Sequence, residues 1–118
     1  MRSVIPYKTM PGEAVYIAGP MRGRPYNNEQ AFFDAEEELV NRGLLVFNPI
    51  RISRSFIPDE VLAISPAMLE KVMEIEKSLI ENCVYIYLLE GWQDSVGAKK
   101  ELEVALRHGL KVMLQGEG

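Results

Sequence analysis

Two short stretches and two glutamates hold the residues of this chain whose types and spacing could do chemistry. The first stretch is Gly19-Pro20-Met21-Arg22-Gly23-Arg24. Glycine lets a backbone approach a ligand closely, and arginine presents a planar fork matched to phosphate oxygens. The plain alternative is a solvated turn with ordinary surface arginines. The second stretch is Asp94-Ser95-Val96-Gly97-Ala98-Lys99-Lys100-Glu101. Ser95 stands where a helix should begin, and the free N–H groups and partial positive charge of a helix start suit a phosphate. Gly97 removes a side chain that would block approach, although Ser95 is also explained as a simple N-cap. The two glutamates are Glu101 and Glu76. At about 100° per residue, Ala98, Leu102 and Ala105 share one helix face, with Glu101 at its edge. Lys100, Glu103 and Arg107 point away. In the preceding helix Met68, Val72, Ile75 and Leu79 define the apolar face; Glu76 lies at its edge beside Val72 and Ile80, while Glu74 is solvated. An unpaired carboxylate turned toward a core is costly, so a cleft is the expected setting and a structural ion pair the competing one.

The elements that must position these residues follow from periodicity and punctuation. After an irregular lead-in over residues 1 to about 13, Ala14 to Ala18 reads as a buried strand stopped by Gly19-Pro20. Tyr16 lies near its carboxyl end, a place where tyrosine is ordinarily core. Asn27 or Asn28 is expected to cap a helix, with Gln30 in the capping-box position; Phe32, Ala35 and Leu39 form its stripe and Gly43 ends it. Leu44 to Phe47 is a second strand closed by Asn48-Pro49. Residues 50–64 read as a long loop with at most a helical turn, and long loops in compact domains are often functional. Ser65-Pro66 starts a helix, as N-cap followed by proline, that runs to about Asn82. Cys83 to Leu89 is the third strand, Gly91 to Ser95 a loop, and Ser95 caps a helix ending at Gly109. Lys111 to Gln115 is the last strand.

Strands alternating with helices predict an α/β fold over 1–118: one doubly wound, flavodoxin- or Rossmann-like domain. Its mostly parallel sheet of four or five strands carries helices on both faces. Ligands of such sheets sit beyond the strand carboxyl ends. Here those ends are Gly19 to Arg24, Asn48 to Arg54 and Gly91 to Ser95. Arg51 and Arg54 are expected at the same edge as Arg22 and Arg24, which favours an anion site in a chain whose net charge is −4. The length of 118 residues suits one core, and 47% hydrophobic with 25% charged residues matches ordinary globular proteins. The acidic balance disfavours wrapping extended nucleic acid. Cys83 and His108 are the sole cysteine and histidine, so neither an internal disulfide nor a cysteine zinc site is expected. His108 reads as a surface residue at a helix C-terminus. No run is long enough to span a membrane, and the N-terminus lacks a signal-peptide core, so the expectation is a cytoplasmic protein without membrane partners. No Walker loop, G-x-G-x-x-G or G-x-S-x-G motif occurs.

Taken together these residues resemble the nucleoside 2-deoxyribosyltransferase superfamily over roughly residues 14 to 115. Val15-Tyr16-Ile17-Ala18-Gly19-Pro20-Met21 is similar to its opening strand and loop. Gly19-Pro20-Met21-Arg22-Gly23 resembles the phosphate loop of the branch that hydrolyses 2′-deoxynucleoside 5′-monophosphates. Ser95-x-Gly97-x-x-x-Glu101 resembles that branch's second phosphate loop and nucleophilic glutamate. The likeness is greatest to a small phage- and prophage-associated branch with a Tyr-Ile-Ala-Gly-Pro-Met start and a Gly-Trp-x-x-Ser-x-Gly-Ala stretch, here Gly91 to Ala98. The resemblance implies Glu101 as nucleophile, Tyr16 as its positioning partner and Glu76 as acid, standing where the family usually has aspartate. It implies Gly19, Pro20, Met21, Arg22, Gly23, Asn48, Trp92, Ser95 and Gly97 around a small-molecule nucleotide or nucleoside. No metal or organic cofactor is implied, and a homodimer or higher homo-oligomer is. In the transferases a neighbouring subunit's C-terminus helps hold the base; this chain stops soon after its last strand, so that contact is expected to be missing.

Two functions from different classes follow. One is an N-glycosidase or deoxyribosyltransferase, favoured by Tyr16 and Glu101 occurring together. The other is a catalytically weak or inactive nucleotide-binding protein that sequesters or senses its ligand, favoured by the changed acid. A purely structural domain would leave the arginine rim without a purpose.

Overall fold

The computed structural model describes residues 8–21, 24–56 and 65–116. Strands β1 (Ala14–Ala18), β2 (Leu45–Phe47), β3 (Tyr85–Leu88) and β4 (Lys111–Leu114) form one sheet in the order β2-β1-β3-β4, every pair parallel. Alternation along β1 divides the core into two layers. Val15 and Ile17 meet Phe32, Ala35 and Leu39 of α1 (Glu29–Asn41) on one face. Tyr16 and Ala18 meet Ile80 of α3 (Pro66–Glu81) and Ala98 and Ala105 of α4 (Val96–Arg107) on the other. The doubly wound expectation is met. The chain leaves β1 toward β2 and leaves β3 toward β4, in opposite directions, so a crevice opens between the carboxyl ends of β1 and β3.

Three local expectations are corrected. Asn28 precedes α1 in a left-handed conformation, with φ of 60°, and makes no side-chain cap. Its Nδ2 instead donates to Pro20 O at 2.9 Å, and Gln30 donates to Asp34, so no capping box forms. The start of the 50–64 loop is a helix, α2 (Pro49–Phe56); residues 57–64 lie outside the described residues. Asn48 begins α2 as Ser65 begins α3: Asn48 Oδ1 accepts from Ile50 N at 3.0 Å, and Ser65 Oγ from Met68 N at 3.2 Å. Each is followed by proline, whose missing N–H costs nothing at a helix start.

The third correction concerns α3. Its buried residues are Val72 and Ile80, whereas Met68 and Ile75 are 43% and 44% exposed. The face turned to the sheet is therefore Val72-Glu76-Ile80. Glu76 lies in the middle of it, not at its edge, because its carboxyl has partners there.

Among the described residues no helix is long and apolar enough to cross a membrane.

Candidate active site

Tyr16, from the middle of β1, is fully buried and faces α3 and α4. Its hydroxyl oxygen lies 2.9 Å from Glu76 Oε2 and 2.5 Å from Glu101 Oε2. Glu76 and Glu101 are half-buried. Helical spacing explains the convergence: Glu76 stands one turn from both Val72 and Ile80, and Glu101 one turn from Ala98 and Ala105, all buried. On the solvent side of α4, Arg107 pairs with Glu103 as its phase predicts. Exposed Glu74 pairs with Lys71 on α3, and His108 with Glu81.

A phenol carries one hydrogen, so two ionised carboxylates cannot both accept from it. The geometry is complete when one carboxyl is protonated: it donates to the Tyr16 oxygen, and Tyr16 donates to the other. The electrostatics agree. Burial, reinforced by the charge of Glu76, pushes Glu101 up to about 8. Burial also raises Glu76, against the lowering effect of the Tyr16 hydrogen bond. Burial first, then the charges of Glu101 and Glu76, hold Tyr16 well above the usual phenol value, so it stays protonated. The trio is a proton-holding pair of acids bridged by a neutral phenol, the arrangement general acid catalysis needs near neutral pH.

Of the expected ligand-binding residues, Gly19 and Pro20 lie buried directly after β1, and Met21 packs on the α1-side core. Arg22 and Gly23 lie outside the described residues. Gly19 has a packing reason to be glycine. A Cβ there would fall 2.7 Å from Leu89 Cβ, and Leu89 is fully buried. Gly19→Ala is expected to destabilise the fold by about 1–3 kcal/mol through overpacking, measured as a lower urea midpoint at unchanged slope.

At α4, Ser95 Oγ accepts from Ala98 N at 3.1 Å and Ser95 O from Lys99 N at 3.0 Å. The cap reading of Ser95 is therefore correct. Gly97 is exposed, and a Cβ there would meet nothing nearer than Ser95 Oγ at 4.0 Å. The start of α4 is open on that side, as an anion site at a helix N-terminus requires.

The arginine rim is smaller than expected. Arg51 binds Glu36 through Nε and Nη2 at 2.6 and 2.7 Å, and Arg54 pairs with Glu29. Both guanidinium groups lie over the Phe33 ring. They fasten α2 to α1 and are neutralised there, because helix formation turned them toward the acids of α1. Asn48 is buried, 2% exposed, with its Nδ2 unpaired, an unusual state for a buried amide. Trp92 sits on a short 3-10 turn (Trp92–Asp94) after β3, half-buried against the core. It lines a cavity of about 170 Å³ with Glu90, Gln93 and Gln115; neither Glu76 nor Glu101 lines it.

This architecture has counterparts among solved structures. A 2-deoxyribosyltransferase from Bacillus psychrosaccharolyticus matches with a TM-score of 0.67 at 22% identity, over 89% of this chain and 75% of that one. A 2-desoxiribosyltransferase from Leishmania mexicana matches with a TM-score of 0.57 at 18% identity, over 86% of this chain and 63% of that one. A CMP N-glycosidase from Clostridium botulinum matches with a TM-score of 0.54 at 21% identity, over 86% of this chain and 70% of that one. The chain thus has the fold of the 2-deoxyribosyltransferases, and it spans less than two thirds of the Leishmania protein's length. Residues 13–114 match the family described as "Domain of unknown function (DUF4406)", and the chain belongs to that family. No curated protein matches it.

Proposed function

We propose that this protein is an enzyme cleaving or transferring the N-glycosidic bond of a 2′-deoxynucleoside 5′-monophosphate or deoxynucleoside. The observation that carries the reading is the Tyr16 hydroxyl held between Glu76 and Glu101. Breaking an N-glycosidic bond places positive charge on the sugar, which an adjacent carboxylate stabilises or captures. Below about pH 8 the shared proton rests on Glu101; in the reactive state it has passed through the Tyr16 hydroxyl to Glu76, leaving Glu101 ionised and accepting from Tyr16. As the C1′–N bond breaks, Glu101 bonds to C1′ and the base leaves with the proton of Glu76. Water or a second base then attacks C1′, releases Glu101 and returns a proton to Glu76. Ser95, Gly97, Arg22 and Gly23 would hold the phosphate, and Asn48 Nδ2 would donate to the ligand. The fold shared with two deoxyribosyltransferases and an N-glycosidase supports this chemistry.

A second reading, a nucleotide-binding protein with weak or no chemistry, is favoured by one observation. Glu76 stands in place of an expected aspartate and is tied to Tyr16. Incubation with a panel of deoxynucleosides and their 5′-monophosphates separates the two. Free base that disappears with Glu101→Gln supports the enzyme, and tight binding without base release supports the binder.

The reading includes a homodimer or larger assembly. Met68 and Ile75 continue the apolar stripe of Val72 and Leu79, yet the single chain leaves them exposed, as an interface would. Sedimentation should give at least a dimer, and Met68→Glu with Ile75→Glu should give a monomer. A wild-type monomer at micromolar concentration would refute this part.

A further inference from the structure

The cavity of about 170 Å³ beside Trp92 is walled by the carboxyl ends of β3 and β4 and by the turn after β3. No described residue of β1 or of the segment after it contributes. Since β1 and β4 flank β3 on opposite sides, the cavity lies away from the β1–β3 crevice. Its apolar surface comes from Leu88, Leu89 and Leu114, with the half-buried indole of Trp92. Gln115 N donates to Leu88 O and Gln115 Oε1 accepts from Glu90 N, both at 2.9 Å. These bonds fix the side-chain amide and leave its Nε2 a donor without a partner among the described residues. A Cβ on Gly116 would lie 3.3 Å from Glu90 Oε1, so this carboxylate stands over the turn after β4. Among the described residues no cation pairs with it. Three properties select the ligand. A cavity of about 150 Å³ accepts benzene, so this one suits a single six-membered ring, and a sugar would have to lie outside it. A donor amide beside a carboxylate matches a lactam edge, whose carbonyl accepts and whose N–H donates. None of the lining residues is basic, so a phosphate would meet Glu90 with nothing to pair with.

We propose that this cavity is a second ligand site, taking a free pyrimidine base of the lactam type with its ring against Trp92, its carbonyl on Gln115 Nε2 and its N–H on Glu90. The choice of a nucleobase among lactam rings rests on the proposed function, in which a free base is released or consumed. The size, polarity and charge of the site do not depend on it.

Trp92 is the sole tryptophan of the chain, so its fluorescence reports the site. Thymine, uracil and adenine are titrated separately into wild type, Gln115→Ala, Glu90→Ala and Glu101→Gln, with melting curves to verify folding. The Glu90 side chain is exposed, so Glu90→Ala keeps the test open should Gln115→Ala fail to fold. Thymine and uracil should give a saturable change in wild type, and adenine, larger and without a lactam, should not. Gln115→Ala and Glu90→Ala should each weaken pyrimidine binding about tenfold, the scale of one hydrogen bond. Glu101→Gln should leave it unchanged. No saturable response to either pyrimidine overturns the proposal, as does wild-type affinity in the folded cavity variants or an equal response to adenine. Binding lost in Glu101→Gln places the base in the crevice and overturns it too. Base release from deoxynucleosides and their monophosphates is followed separately by chromatography. Its absence counts against the glycosidic function, while thymine binding that depends on Gln115 and Glu90 still upholds the second site.

Discussion

Glu101→Gln is expected to suppress base release on the order of 10⁴-fold or more, the scale on which losing a nucleophile is felt, while raising the melting temperature at pH 8. Glutamine keeps the shape and a hydrogen-bonding partner for Tyr16 but has no charge to place against C1′. The stability gain follows from linkage. The carboxyl of Glu101 is raised from its ordinary 4.5 to about 8 in the folded chain, by burial and the neighbouring Glu76. Between those values the folded state binds more protons than the unfolded one, so wild-type stability falls as pH rises through this window. The penalty is complete above about pH 8 and absent below 4.5. Glutamine never incurs it. The variant should melt above wild type at pH 8, and the two should converge toward pH 4.5. Chromatography of free base and melting curves at several pH values check both halves. Retained turnover would remove Glu101 from the chemistry, and a pH-independent gap would remove the burial argument.

Tyr16→Phe is expected to cost about 10²- to 10⁴-fold in kcat, in the range attributed to a positioned proton-transfer group, with KM little changed. In the proposed mechanism Tyr16 acts by positioning the two acids. A loss of packing alone would not move the pH profile, whereas this change should. In wild type the reactive state holds one proton on the pair, so turnover should be bell-shaped, and its alkaline limb should lie near pH 8, where that proton leaves. The Tyr16 hydrogen bond lowers both carboxyls. Without it both rise, and the profile moves to higher pH. A variant profile that superimposes on wild type after scaling would refute the positioning role.

Which parts of this architecture are legible in the sequence depends on whether the determining contact is local. The four strands and the caps at Ser65 and Ser95 are local features, and they appear where periodicity and N-cap chemistry put them. Helix α2 uses the same grammar, Asn48 followed by Pro49, but its arginines and serines hide it; what steadies it is Glu36 and Glu29 of α1, 15 and 25 residues away. On α3 a 3.6-residue period admits two adjacent stripes. Met68-Val72-Ile75-Leu79 looks better in sequence because it is wholly apolar. Val72-Glu76-Ile80 faces the sheet because Tyr16 waits there for the carboxylate. Helical phase brings Glu101 to the right edge, yet the convergence of both glutamates on one phenol has no local signature.

The bridge made by Tyr16 spans 60 residues to Glu76 and 85 to Glu101. Contacts so distant along a chain close large loops and are slow to form. The parallel order β2-β1-β3-β4 adds to this, since no two neighbouring strands share a tight hairpin. A chain still on its way to the native state, or one with α3 lifted from the sheet, has no bridged acid pair at all. On the proposed function such a species would perform no stray hydrolysis, so bond cleavage would require the sheet and both helices to be in place.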